Sequence, residues 1–119
     1  MAKDLHITVL LDFYGEMLTD KQREIVSSYY NDDLSLSEIA EGREITRQGV
    51  RDTIKRSEQQ LLDMEERLGL AKRFRKVQEN LTLICDCALK IKALDNGKNE
   101  EISENIVEII SAAGELVEE

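Results

Sequence analysis

The 119-residue chain has no proline and no tryptophan, six glycines, one histidine, two cysteines and only 4% aromatic residues. Without proline no helix is interrupted by a missing N–H and a locked φ, and with few glycines there are few ready sites for left-handed turns, so long helices are favoured. His6 alone makes no metal site, and Cys85 and Cys87, two apart on a predicted helix, point to different faces and cannot bridge each other comfortably. Buried, reduced thiols are the expectation for both. There is no zinc-ligand spacing, no glycine-rich phosphate loop and no Ser/His/Asp set, so no metal, no cofactor and no catalysis are expected. No run approaches the ~18 apolar residues of a membrane span, and the opening MAKDLHITVLLDF carries acidic residues where a secretory signal has a basic flank. A cytoplasmic protein without a membrane partner is expected.

What remains is 41% apolar, almost all aliphatic, set among Glu, Lys and Arg, the composition of an all-α protein of one-domain size. The net charge of −9 is unevenly spread. Residues 1–34 carry 3 basic and 7 acidic side chains, residues 35–76 carry 10 and 8, and residues 77–119 carry 3 and 10, giving −4, +2 and −7. An acidic body around one basic stripe predicts weak, salt-sensitive binding to a polyanion.

The basic stripe coincides with the one stretch whose spacing suggests a function. Ser35 and Glu38 stand at capping-box distance and start a helix near Leu36. Ile39 and the small Ala40 suit a close helix crossing, Gly42 weakens the helix end, Ile45 is the apolar plug of a turn, and Thr46 is an N-cap for a second helix from Arg47. On that helix Val50, Ile54, Ser57, Leu61, Met64 and Leu68 keep one apolar stripe over roughly 34 Å, far more than a helix-turn-helix uses, so the rest must pack on something else. Arg47, Arg51 and Lys55 lie at i, i+4 and i+8 opposite Val50 and Ile54, and Gln48 is the side chain best suited to an adenine edge. Gly49 costs about 1 kcal/mol in a helix interior and leaves no side chain for a base edge.

LTDKQREIVSSYY, then SLSEIA, then ITRQGVRDTIKR resembles the promoter-reading region 4 of sigma factors, and more closely the YlxM-like helix-turn-helix proteins of bacteria. The motifs cover about Thr19 to Glu66, and the chain's size and helical C-terminal part fit the second family over nearly its whole length. Arg43 and Glu44 stand where the usual turn has an apolar residue and then Gly or Asn. The family is encoded beside the GTPases of the signal recognition particle. The resemblance therefore implies a regulatory accessory protein of protein targeting, with that GTPase, its RNA, or both as partner. The alternative is a sequence-specific DNA-binding transcription regulator of sigma region 4 type.

Elsewhere, Asp4 to Met17 has Leu5, Val9, Leu10 or Leu11, Phe13 and Met17 at core spacing, with Gly15 loosening its end. Thr19 and Gln22 form a second capping box ahead of a helix through Ile25, Val26, Tyr29 and Tyr30, and Asn31, Asp32 and Asp33 make a loop. After a C-cap at Gly69 come Lys72, Arg73, Arg75 and Lys76 around Phe74, which read either as a phosphate-binding patch or as a solvated first turn. Phe74, Val77, Leu81, Ile84, Ala88 and Ile91 repeat the 3-4 spacing to Leu94, and Asn96-Gly97 breaks the helix. A last helix sets Ile102, Ile106, Ile109, Ala113 and Leu116 on one side and Glu101, Glu104, Glu108, Glu115 and Glu118 toward water, with Val107, Ile110 and Val117 widening the apolar face.

The expected architecture is a wingless helix-turn-helix domain over 1–69, including the long second helix, followed by two C-terminal helices over 70–119. The nucleic-acid contacts expected are Arg47, Gln48, Arg51, Lys55, Lys72, Arg73, Arg75 and Lys76. The surplus apolar stripes predict a homodimer held by the long helix and the C-terminal helices.

Overall fold

The computed structural model describes residues 3–118, Glu118 by its backbone alone, and within them the chain is all-α with no strand. Helix α1 (Leu5–Tyr14) runs into a 3-10 turn (Gly15–Met17); α2 (Asp20–Tyr30), α3 (Leu36–Arg43), α4 (Arg47–Leu68), α5 (Leu70–Asp95) and α6 (Glu100–Glu118) follow. The chain divides into two compact units, the division falling between Ala71 and Lys72.

In the first unit the helix starts lie where the capping residues put them. Thr19 and Ser35 each close a full capping box, with Gln22 and Glu38, and Thr46 Oγ1 accepts the N–H of Gly49 at 2.9 Å to start α4. Gly49 therefore sits in the first turn of α4, not in its interior, and a Cβ there would lie 3.1 Å from the capping hydroxyl. The full interior cost expected for this glycine does not apply at such a position.

Two apolar clusters fill the unit. Ile25, Tyr29, Ile39, Ala40, Val50 and Ile54 join α2, α3 and the first half of α4, with Leu34, Leu36 and Ile45 packed at the edge. Ile7, Leu10, Leu11, Tyr14, Leu18, Val26, Leu61 and Ala71 join α1 to the second half of α4, and Tyr30 touches both clusters. The apolar stripe of α4 is thus covered within the chain: Val50, Ile54, Ser57 and Leu61 are fully buried, and Ser57 returns its hydroxyl proton to the Thr53 carbonyl at 2.7 Å. Among the stripe residues only Leu68 remains exposed, so α4 has little apolar surface left for a second chain.

Helix α1 buries a different face from the one expected. Ile7, Leu10, Leu11, Tyr14 and Leu18 are inside, whereas Leu5 is 77% and Met17 65% exposed, with Val9 and Phe13 at the surface as well. LHITVLLDFY is apolar nearly all round, so its periodicity does not choose a face; a buried polar contact does. Tyr14 donates its phenol proton to Glu65 Oε1 at 2.7 Å and accepts the Leu70 N–H at 3.1 Å, while the same Glu65 oxygen accepts the Ala71 N–H at 3.1 Å. One tyrosine and one carboxylate thereby satisfy two orphan donors at the start of α5. Burial, then the carboxylate beside it, pushes the Tyr14 phenol above its ordinary pKa.

The second unit is an antiparallel hairpin of α5, from Lys72 onward, and α6. Asn96 and Gly97 take left-handed conformations at the turn, Asn99 Oδ1 caps α6 by accepting from Glu101 and Ile102, and Gln78 Nε2 donates to the Val117 carbonyl at the open end. Ala88, Ile106 and Ala113 are the buried apolar residues of this unit among the described residues. Cys85 is half-buried and Cys87 exposed, both free, which corrects the expectation of two buried thiols: a two-helix hairpin has too little interior to hold both. Glu101, Glu104, Glu108 and Glu115 face water as expected; the same expectation for Glu118 falls outside the described side chains.

Candidate nucleic-acid interface

The turn before α4 decides how that helix is presented. At the end of α3 the Ile45 N–H bonds the Ala40 carbonyl at 3.1 Å and the Glu44 N–H bonds the Glu41 carbonyl at 3.3 Å, the paired bonds of a Schellman end, with Glu44 left-handed at φ 55 and ψ 40. Glu44 does what Gly or Asn does in the usual turn. Ile45, the next residue, packs against the α2–α3–α4 cluster and locks the turn, as its apolar character predicts. The departure at Arg43 and Glu44 thus leaves helix-turn-helix geometry intact.

The outer side of α4 begins with cations. Arg47, Arg51 and Lys55 are all exposed, share one stripe, and carry no ion-pair partner among the described residues. Other cations of the unit are engaged: Lys3 with Asp33, Arg23 with Asp20 at 3.0 Å, and Arg43 with Glu24 at 2.9 Å. Like charges at i, i+4 cost a few tenths of a kcal/mol per pair, and a cation in the first turn opposes the helix dipole. The first turn of α4 holds no acidic residue to offset either effect. Such an arrangement is locally unfavourable in the free protein and becomes favourable when an anion arrives, because the unbonded N–H groups at the helix start and the cations then act together.

Arg47, Gln48 and Arg51 line a hollow of about 360 Å³ with Leu36 at the start of α3. Gln48 is brought to the right place but is not idle: its amide donates to Asp52 Oδ1 at 2.9 Å, one turn along. The bond blunts the acid that stands among the cations, and Gln48 must release it before touching a base. Two cations that spacing along α4 alone did not single out, Lys21 and Arg56, are exposed at a second polar hollow of about 360 Å³ with Thr19, Gln22, Thr53 and Gln60, where α2 begins beside α4. The sequence signal for Lys21 was the capping box, which fixes a helix start next to it; Arg56 differs from Lys55 by one helical step and so by a face.

Lys72, Arg73, Arg75 and Lys76 belong to the second unit, exposed on the early turns of α5, with Phe74 half-buried among them. They form a cationic cluster of their own. Among the described residues no helix is long and apolar enough to cross a membrane.

Comparison with known proteins agrees with this geometry. Residues 1–106 match the family described as "Putative helix-turn-helix protein, YlxM / p13 like". The UPF0122 protein of Thermoanaerobacter pseudethanolicus is 44% identical over 115 residues, covering 97% of this chain and 93% of that one. The UPF0122 protein of Clostridium kluyveri is 42% identical over 106 residues, covering 89% and 93%. The UPF0122 protein YlxM of Bacillus subtilis is 41% identical over 116 residues, covering 98% and 97%. With the family match, these relatives and the capped helix-turn-helix in agreement, the chain belongs to the YlxM/p13-like helix-turn-helix family.

Proposed function

We propose that the protein is a regulatory accessory factor of the signal recognition particle pathway that holds nucleic acid, the particle's RNA foremost, on the outer face of α4. The observation carrying the nucleic-acid part is the row of exposed Arg47, Arg51 and Lys55, without ion-pair partners among the described residues, at the start of a helix with no acidic first-turn residue. What supports RNA held by shape and phosphate over base reading is the rest of that face: Gly49 offers no side chain, and Gln48 is bonded to Asp52. The choice of pathway rests on the family resemblance. The −7 charge of residues 77–119 supports a second contact, with a basic protein such as the particle's GTPase, since complementary charge speeds encounter and selects partners.

The second reading, a DNA-binding transcription regulator, is favoured by the Schellman turn at Glu44, which presents α4 as a reading helix is presented in region 4 domains. The two separate in one experiment. Association of the purified protein is measured with the particle's RNA, with its GTPase, with the two assembled, and with duplex DNA, each over a salt series. RNA-dependent binding that strengthens on the assembled particle supports the first reading. Binding only to DNA, with sequence preference, replaces it by the second, and no effect of Arg47→Ala with Arg51→Ala on any nucleic-acid affinity removes α4 as the contact.

A further inference from the structure

Each helix of the C-terminal hairpin carries two apolar stripes at seven-residue spacing, and the hairpin uses only one of them. Phe74, Leu81 and Ala88 form the first stripe on α5, and Ile106 and Ala113 the first on α6, and all five are buried or half-buried. Val77, Ile84 and Ile91 on α5, and Ile109 and Leu116 on α6, lie between 42 and 51% exposed. The second stripe sits about 60–70° round each helix from the first at ~100° per residue, in the same rotational sense. Because the helices run antiparallel, rotation of the same sense on both puts the two second stripes on the same side of the hairpin. The Gln78–Val117 bond brings the start of α5 to the end of α6, so at equal rise along antiparallel helices Val77 falls near the level of Leu116, Ile84 near Ile109, and Ile91 near Ile102. The result is a three-layered apolar floor across both helices.

We propose that this floor docks on the same floor of a second copy, closing a four-helix bundle with twofold symmetry. The seven-residue repeat is the one that lets facing helices interlock side chains. Two helices about 10 Å across and ~30 Å long offer roughly 600 Å² per copy, so the pair buries on the order of 1,200 Å², the lower edge of a specific stable interface. The hairpin also needs such a partner: its buried residues are Ala88, Ile106 and Ala113, a core with one large side chain.

Charge selects a second copy over a basic protein at this face. Although residues 77–119 sum to −7, the row bordering the floor on α5 is Arg73, Asn80, Cys87 and Leu94 and on α6 includes Asn105 and Ala112, while Glu108 and Glu115 stand further round the helix. Self-docking therefore does not set acid against acid, and a basic partner would find no acidic rim there. Each dimer then carries two cationic α4 faces.

Sedimentation equilibrium of the full chain at tens of micromolar tests the proposal. The expected mass is twice the 13.6 kDa of the chain, and Ile84→Ala with Ile109→Ala raises the dissociation constant at least tenfold. Val107→Ala, at a 58% exposed position of α6 away from the floor, leaves the dimer unchanged. A monomeric double variant that has also lost helix by far-UV circular dichroism counts in favour, since the hairpin then folds only when paired. A wild-type mass of 13.6 kDa, open-ended higher oligomers, a double variant that dimerises as well as wild type, or equal weakening by Val107→Ala each overturns it.

Discussion

Replacing Glu44 by glycine should stabilise the helix-turn-helix unit. Glu44 is held at φ 55 and ψ 40, where an L side chain crowds its own carbonyl at a cost of about 1–2 kcal/mol. Glycine removes that cost but loses about 0.5–1 kcal/mol through greater freedom in the unfolded chain. Glu44 is exposed, and removing a negative charge from a helix C-terminus adds a few tenths of a kcal/mol. The net gain is about 1 kcal/mol, with the Ala40 and Glu41 carbonyls still bonded, and corresponds to a rise in Tm of about 4–8 °C for a domain of this size. Urea unfolding followed by tyrosine fluorescence reads this unit alone, because all three tyrosines, Tyr14, Tyr29 and Tyr30, lie in it and the chain has no tryptophan. Glu44→Ala keeps the backbone cost and should recover only the charge part. If Glu44→Ala stabilises as much as Glu44→Gly, or if Glu44→Gly is neutral, the left-handed residue is not strained and the reasoning fails. Gly69→Ala is the reverse test: φ is 62 and an added Cβ meets nothing within 4 Å, so a loss of about 1 kcal/mol is expected from the backbone alone.

Arg47→Ala with Arg51→Ala should flatten the plot of log affinity against log salt by about 1.8 on duplex DNA, or about 1.4 on a single strand, as two phosphate contacts are lost; an unchanged slope in a binding titration would clear α4 of the contact. Tyr14→Phe strands the Leu70 N–H and takes a donor from Glu65, so a loss of about 1–3 kcal/mol is expected at neutral pH. The folded pKa of Tyr14 is raised, so its contribution is complete below pH ~10 and is lost as pH rises through the folded value; the gap between wild type and Tyr14→Phe should narrow above pH ~10, whereas a constant gap would deny Tyr14 a part in alkaline loss. Tyr30, pushed up to about 12 chiefly by burial, titrates in both proteins and drops out of the difference. Gly114→Ala in α6, where a Cβ meets nothing within 4 Å, should raise helix stability by about 0.5–1 kcal/mol in thermal melts by far-UV circular dichroism; a fall would mean the site tolerates no methyl.

Helix boundaries in the first unit were legible because each start is written in side chains that bond their own backbone: Thr19 with Gln22, Ser35 with Glu38, and Thr46. The face of α1 was not. Seven of the ten residues in LHITVLLDFY are apolar, so several stripes fit equally, and the choice is made by the pairing of Tyr14 with Glu65, 51 residues away. The long apolar stripe of α4 was also visible, but a stripe says only that something covers it. Here α1 covers the half beyond the helix-turn-helix, and the need for a second chain on α4 disappears.

The cationic face was legible for a different reason. Residue spacing alone fixes which side chains share an exposed face of a helix, so Arg47, Arg51 and Lys55 could be grouped without coordinates. Spacing does not show which cations are neutralised. Arg43 is spent on Glu24, 19 residues away, through a contact that follows from helix packing; the bond from the neutral Gln48 to Asp52, an i, i+4 pair, is one that spacing allows. A few unpaired cations on a chain of net charge −9 make a contact whose electrostatic gain is local and easily screened. Binding of this kind is weak on any isolated polyanion and becomes useful when a second contact holds the same target. The proposed pairing of the hairpin would supply one route, by giving each assembly two α4 faces; the proposed match of the acidic surface to a basic protein would supply another. Salt should then weaken the isolated RNA complex far more steeply than the complex with the assembled particle, because in the latter part of the affinity no longer depends on phosphate contacts.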